Sequence, residues 1–212
     1  MIKYFIWDFD GVICDSRDVA FNVHNKVRKN YKSLPTINNG IEYARLMNGE
    51  YDESLERYLT KKEKDSYFLE HREEMYRRKA EFKVFNKIVN FIQDENIPSI
   101  IITATYEKLV KYILKTNGYD EKIFENILGR ETEGGKNEKL CKTLEKLNLD
   151  SSEVIYIGDT LNDVNFCNKI GINIIAVGYG YCPKEVFKNK KMFSLCNTQE
   201  ELLEIIRKIN IK

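Results

Sequence analysis

Short runs of apolar, β-branched residues alternate with amphipathic stretches along most of the chain, and that alternation narrows the fold more than any other feature. Strands are expected at Lys3–Trp7, Pro98–Thr103, around Ile127–Leu128, at Val154–Ile157 and at Asn173–Val177. Helical periodicity occupies Val84–Gln93, Glu107–Thr116, Asn137–Leu147 and Asp163–Lys169. Strands without a polar face must be covered on both sides. Strand–helix–strand units achieve this by laying parallel strands in one sheet beneath helices on either face. The expected class is therefore α/β, a doubly wound parallel sheet. A final helix follows Thr198, where Thr198-Gln-Glu-Glu201 fits a capping box. Leu202, Leu203, Ile205, Ile206 and Ile209 give that helix its apolar face.

One segment breaks the rhythm. From Ser16 to Phe82 the chain is highly charged and has no clear strand. Val19, Val23 and Val27 recur at four-residue spacing, which suits a helix face. Asn39-Gly40 and Asn48-Gly49-Glu50 read as turns. Glu53–Phe82 reads as one or two long helices carrying Leu55, Tyr58, Leu59, Tyr67, Phe68, Met75 and Tyr76. The expected organisation is a core domain of residues 1–15 and 83–212, with a small helical domain, 16–82, inserted after the first strand.

Composition removes several function classes. The 34 Lys+Arg against 33 Asp+Glu leave a net charge of +1, not the basic excess of an electrostatic nucleic-acid binder. No apolar run approaches the ~20 residues of a membrane-spanning helix. Asp8 interrupts the N-terminus before a leader peptide core could form. The five cysteines are odd in number and form no CxxC pair, which fits reduced thiols in a cytoplasm. With only His24 and His71, a site of several histidine ligands is excluded, and both are read as structural or solvated. Cys14 is read as structural, and Lys61-Lys-Glu-Lys-Asp65 as a solvated helix face. The expectation is a cytoplasmic monomer or homodimer with no nucleic-acid or membrane partner.

Chemistry concentrates where strands end. Open parallel sheets bind ligands beyond the carboxyl ends of their strands. Asp8 and Asp10 follow the first strand, Thr103 the second, and Asp159 and Asp163 the Val154–Ile157 strand; Lys136 opens a helix after Gly134-Gly135. Crowded carboxylates raise one another's pKa unless a cation intervenes. A hard divalent ion such as Mg²⁺, bound by a few carboxylates and a substrate phosphate, resolves the conflict. Lys136 and Thr103 suit the remaining phosphate oxygens, and backbone N–H groups around Phe9–Val12 are further candidate donors. One carboxylate can attack phosphorus while another, two residues on, moves the proton.

These residues also resemble a known family. Asp8-Phe-Asp10-Gly-Val is similar to motif I of the haloacid dehalogenase (HAD) superfamily, DxDx[TV]. Ile100-Ile-Ile-Thr103 resembles motif II, Lys136 motif III, and Gly158-Asp159-Thr-Leu-Asn-Asp163 motif IV, GDxxxD. Four motifs in order are far more specific than one. The resemblance, to C1-capped relatives of the phosphoglycolate-phosphatase kind, implies a Rossmann-like core and makes the 16–82 insert a helical C1 cap. It implies a Mg²⁺-dependent phosphatase that hydrolyses a small phosphorylated metabolite through an aspartyl-phosphate.

Residue by residue, the resemblance makes Asp8 the nucleophile and a metal ligand. Asp10 becomes the general acid/base, giving its backbone carbonyl to the metal. Asp159 binds the metal directly, Asp163 directly or through water, and Thr103 and Lys136 hold the phosphoryl group. Lys136 precedes Asn137 where many relatives have proline, and Lys139 and Lys142 lie close enough to compete with it. Arg28, Arg45, Arg57, Arg72, Arg77 and Arg78 are available in the insert for a second anion. A phosphomutase of the β-phosphoglucomutase type is the first alternative. Those relatives carry a His five residues after the equivalent of Asp15, where this chain has Ala20, with His24 one turn later. A non-catalytic phosphate-binding domain is the second. Dehalogenases and phosphonoacetaldehyde hydrolases lack an acid where Asp10 stands.

Overall fold

The computed structural model describes residues 1–46 and 55–209. The described strands are β1 (Tyr4–Trp7), β2 (Cys14–Asp15), β3 (Lys83–Val84), β4 (Ser99–Ile102), β5 (Asn126–Leu128), β6 (Val154–Gly158), β7 (Asn173–Val177) and β8 (Ser194–Cys196). The main helices are α1 (Arg17–Val27), α2 (Gly40–Leu46), α3 (Lys61–Arg77) and α4 (Asn86–Asp94). They continue with α5 (Glu107–Thr116), α6 (Lys136–Leu147), α7 (Leu161–Ile170) and α8 (Gln199–Lys208).

Six strands make one sheet in the order β5-β4-β1-β6-β7-β8, and every pairing is parallel. Side chains alternate across it with the period of two that strands impose. Phe5, Trp7, Ile101, Ile155 and Ile157 belong to one apolar layer, under α4, α5 and α8. Ile6, Ile100, Ile102, Val154 and Tyr156 belong to the other, with Leu140 of α6 and Val164 and Cys167 of α7. Both faces are covered, as the unbroken apolar strands require. The neighbours of β1 lead the chain to opposite edges, so a crevice opens beyond the ends of β1, β4 and β6.

The irregular segment leaves and rejoins this sheet through a small ribbon. β2 and β3 pair antiparallel, Cys14 opposite Val84 and Asp15 opposite Lys83. Between them α1 packs against α2 and α3. Val23 and Val27 of α1 are buried, Val19 is half-buried, and Tyr67 and Met75 of α3 join the same apolar layer as the sheet.

Several local expectations change. Val84 belongs to the ribbon, so α4 begins later, at Asn86. Asn39 caps a helix instead of marking a turn: its Oδ1 accepts the N–H groups of Ile41 and Glu42 at 3.0 and 2.9 Å. Thr198 accepts the Glu201 N–H at 3.2 Å, but the Glu201 carboxylate accepts from Asn197 at 2.7 Å, so the box is only half formed. Asn48-Gly49-Glu50 and the start of Glu53–Phe82 lie outside the described residues; from Lys61 to Arg77 that stretch is one helix. All five cysteines are free thiols. No described helix is long and apolar enough to cross a membrane.

Candidate active site

Each strand end delivers one part of the site. The backbone N–H of Asp8 donates to Ile157 O at 2.9 Å, which ties the exit of β1 to β6. The Asp8 carboxylate accepts the Phe9 N–H at 2.7 Å and the Lys136 ammonium at 2.6 Å. Lys136 comes from the first turn of α6, where N-cap Gly135 aims it back over the sheet, and it also reaches Asp163 at 3.2 Å. Past β6, Thr160 caps α7. Its backbone N–H and hydroxyl both donate to Asp163, at 3.0 and 2.6 Å, which holds that carboxylate in place.

Asp159 is gripped more tightly. Gly11 has a φ of +76°, and a Cβ there would stand 1.9 Å from Asp159 Oδ2. A Cβ at Gly180 would stand 2.4 Å from the same oxygen. Two glycines thus let the backbone close around the carboxylate while Tyr181 N–H donates to it at 2.6 Å. Its other oxygen, Oδ1, is buried and has no hydrogen-bond partner. A buried anionic oxygen in that state is costly.

Carboxylate oxygens of Asp8, Asp159 and Asp163 lie within 4.8 Å of one another, all buried. Burial pushes the Asp8 carboxyl up to about 7 despite the adjacent Lys136 ammonium. Asp159 is raised well above the ordinary carboxylate range, by burial first and then by Asp8 and Asp163. Burial opposes the charge on Lys136, yet Asp163 and Asp8 outweigh it and raise its pKa. One ammonium among three carboxylates leaves surplus negative charge. The donor set, all hard oxygens with one of them unpartnered, fits a divalent cation of the Mg²⁺ kind.

The Asp10 carboxylate stands apart from the trio and accepts a 2.6 Å hydrogen bond from the Thr105 hydroxyl. Thr103 is fully buried, and its hydroxyl accepts the Thr105 N–H at 3.0 Å, leaving its own proton to donate. Lys139 is drawn away from the carboxylates. Its ammonium donates to Gly129 O at 2.6 Å and Thr103 O at 3.5 Å, tying two loops together. Around Phe9–Val12, three expected donors serve the loop itself: Phe9 N–H binds Asp8, Gly11 N–H binds Cys14 O, and Val12 N–H binds Phe9 O. Above the carboxylates lies a cavity of about 570 Å³ that extends to Tyr43 of α2 and to Phe68, His71, Arg72 and Met75 of α3.

This arrangement has relatives. The family of haloacid dehalogenase-like hydrolases, described by one sequence model, matches residues 5–177. The chain belongs to that family. Among solved structures, this HAD hydrolase superposes on a predicted phosphatase from Clostridium acetobutylicum with a TM-score of 0.85, at 20% identity over 99% of this chain and 100% of the other. A haloacid dehalogenase-like hydrolase from Streptococcus pneumoniae superposes with a TM-score of 0.82, at 20% identity over 97% of this chain and 98% of the other. Among curated proteins, PpaX of Caldanaerobacter subterraneus, a candidate pyrophosphatase, is 29% identical over 119 residues, 55% of this chain and 54% of its own length. The HAD chain thus spans about half the length of the curated relative it matches.

Three site residues had escaped the sequence reading. Thr105 holds Asp10, and Gly180 and Tyr181 hold Asp159. A signal was present for each. Thr105 lies two residues beyond Thr103, and Gly178-Tyr-Gly180 follows β7 at the same lip of the sheet.

Proposed function

We propose that this HAD hydrolase is a Mg²⁺-dependent phosphatase acting on a small phosphorylated metabolite, with Asp8 as nucleophile and Asp10 as general acid/base. The observation that carries the reading is the division of labour between the two carboxylates. Asp8 faces Lys136 and the other buried acids, whereas Asp10, two residues on, is turned onto a neutral threonine hydroxyl. An Asp8 oxygen attacks phosphorus, the ester P–O bond breaks, and Asp10 gives its proton to the departing alcohol. Asp10 then takes a proton from water, whose oxygen displaces Asp8 and releases phosphate.

Asp8, Asp159, Asp163 and the Asp10 carbonyl are the proposed metal ligands. When bound, the ion supplies charge neutralisation for the phosphoryl oxygens. Thr103 and Lys136 hold the same oxygens by hydrogen bond and charge. We read residues 16–82 as a C1 cap on the core 1–15 and 83–212, a division supported by the β2–β3 ribbon at both boundaries. Five free thiols support a cytoplasmic location.

The mutase alternative is less favoured. Ala20 lines the cavity, while His24 is buried against Tyr67, Nδ1 to Oη 2.7 Å, where it meets no substrate. A non-catalytic role would leave Asp10 and Thr105 without a task. The test is phosphate release from a panel of phosphorylated metabolites, with Mg²⁺ or with EDTA, for wild type and Asp8→Asn. Release should require both the metal and Asp8, with an unchanged circular dichroism spectrum. Equal rates in the variant would remove Asp8 as nucleophile.

A further inference from the structure

The loop after β7 touches more of the molecule than its place in the sheet requires. It holds Asp159 at two points: Tyr181 N–H donates to the carboxylate at 2.6 Å, and Cys182 N–H to the Asp159 carbonyl at 3.3 Å. The same loop meets both ends of the β2–β3 ribbon. Tyr179 stands edge-on to Phe85, the residue after β3, with ring centres 5.3 Å apart. Arg17, two residues after β2, donates to Gly180 O at 2.9 Å.

Ser16 gives the clearest sign that these contacts matter. It stands at the N-cap of α1, where a serine hydroxyl ordinarily accepts a backbone N–H of the first turn. Here it is fully buried and makes no cap hydrogen bond. Its Oγ lies 3.1 Å from Tyr181 Oη instead. A residue that forgoes its local role for a long-range contact marks a place where something other than helix stability is served. The Tyr181 ring goes further still and packs on the apolar cluster of Ala20, Ile37 and Tyr43, all within the segment 16–82.

Tyr181 is thus held at its side chain by that segment, while its backbone holds Asp159. A carboxylate is a rigid plane, so the position at which Tyr181 grips Oδ2 also decides how the buried, unpartnered Oδ1 is presented.

Resting on the reading of Asp159 as a cation ligand, we infer that Tyr181 is a positioning residue that couples the seating of segment 16–82 to cation binding at Asp159, with Ser16 as its anchor. Tyr181 takes no part in bond making. The coupling is reciprocal: whatever the seated segment adds to cation affinity, the bound cation returns to the seating.

The test titrates Mg²⁺ against wild type, Tyr181→Phe, Ser16→Ala and the double variant, reading the apparent Kd from the rise in melting temperature. Phenylalanine keeps the ring and the backbone N–H and removes only the hydroxyl link. Each single variant should weaken Mg²⁺ binding about fivefold, the scale of one neutral hydrogen bond. The double variant should bind no more weakly than either single, because both remove the same link. Thr60→Ala, which removes a helix cap elsewhere, should bind as wild type does. Hydrogen exchange at the start of α1 should slow when Mg²⁺ is added to wild type, and slow less in Tyr181→Phe. Wild-type affinity in Tyr181→Phe, effects that multiply in the double variant, equal weakening in Thr60→Ala, or exchange in α1 indifferent to Mg²⁺ would each overturn the inference. Undiminished Mg²⁺ binding by Asp159→Asn would remove Asp159 as a ligand and the inference with it. The expected pattern in a protein that releases no phosphate from any ester would sustain the coupling and sink the phosphatase.

Discussion

Asp159 is the residue whose surroundings are most sharply defined. Gly11 and Gly180 approach it more closely than any side chain could, and Gly11 also holds a left-handed φ of +76°. Gly11→Ala therefore meets two costs: roughly 1–2 kcal/mol of backbone strain and displacement of the carboxylate by the new methyl. The expected result is a lower melting temperature and loss of the stabilisation that the proposed Mg²⁺ site would give, read by thermal unfolding with and without the ion. A variant that melts like wild type and still responds to Mg²⁺ would show the cradle to be dispensable. Asp8 and Asp159 were legible as candidates because they stand at the ends of apolar runs, and Asp10 and Asp163 by their spacing of two and four residues from them. The choice between Lys136 and Lys139 was less so. Residues three apart share a helix face, so periodicity alone does not separate them. What separates them is position along α6: Lys136 overhangs the first turn and reaches Asp8, whereas Lys139 lies one turn deeper, among carbonyls.

Helices α3 and α7 begin with the same device and serve different ends. Thr60 and Glu63 form a capping box at α3, and Thr160 and Asp163 form one at α7. Removing either hydroxyl should cost on the order of 1 kcal/mol of stability. The consequences for turnover should diverge. Thr60→Ala affects a helix start whose box faces solvent, so kcat should stay near wild type. Thr160→Ala also frees Asp163, the acid that shares Lys136 with Asp8, so kcat should fall with the melting temperature. Equal kinetic effects in the two variants would contradict the reading of Asp163. Central strands and long helices were recoverable because burial on both faces, or on one stripe, writes a period into the sequence. The β2–β3 ribbon and β8 span two or three residues each. β5 is as short, but Ile127-Leu128 marks it, whereas Cys-Asp, Lys-Val and Ser-Leu-Cys carry no such apolar run, and their pairing is set by the sheet and loops around them.

At the scale of the whole molecule, the helical segment adds a dependence on acid. Burial lowers His24 to about 4 and His71 to about 3, so the native state keeps both rings neutral. Unfolded histidine takes its proton near 6.5. Between pH 6.5 and about 4 the unfolded chain therefore binds more protons at His24, and stability falls as pH falls. Asp8 acts with the opposite sign in the metal-free protein, because its carboxyl is raised to about 7. The histidine contribution is isolated by comparing wild type with His24→Asn. Wild type should lose stability faster on acidification, by roughly 1.4 kcal/mol per pH unit across that window, in urea titrations at stepped pH. Superimposable pH profiles would refute a neutral His24 as the cause. The sequence changes rhythm between Ser16 and Phe82, which is the ground for the proposed insert. That the insert departs and returns on neighbouring rungs, Cys14 beside Val84 and Asp15 beside Lys83, was not legible in the sequence. Such a doorway has an evolutionary meaning. If the proposed roles of Asp8, Thr103, Lys136 and Asp159 hold, everything between its two posts could be lengthened, shortened or exchanged by recombination while those residues stay where the sheet puts them, and new substrate preferences could be inherited without reinventing the reaction.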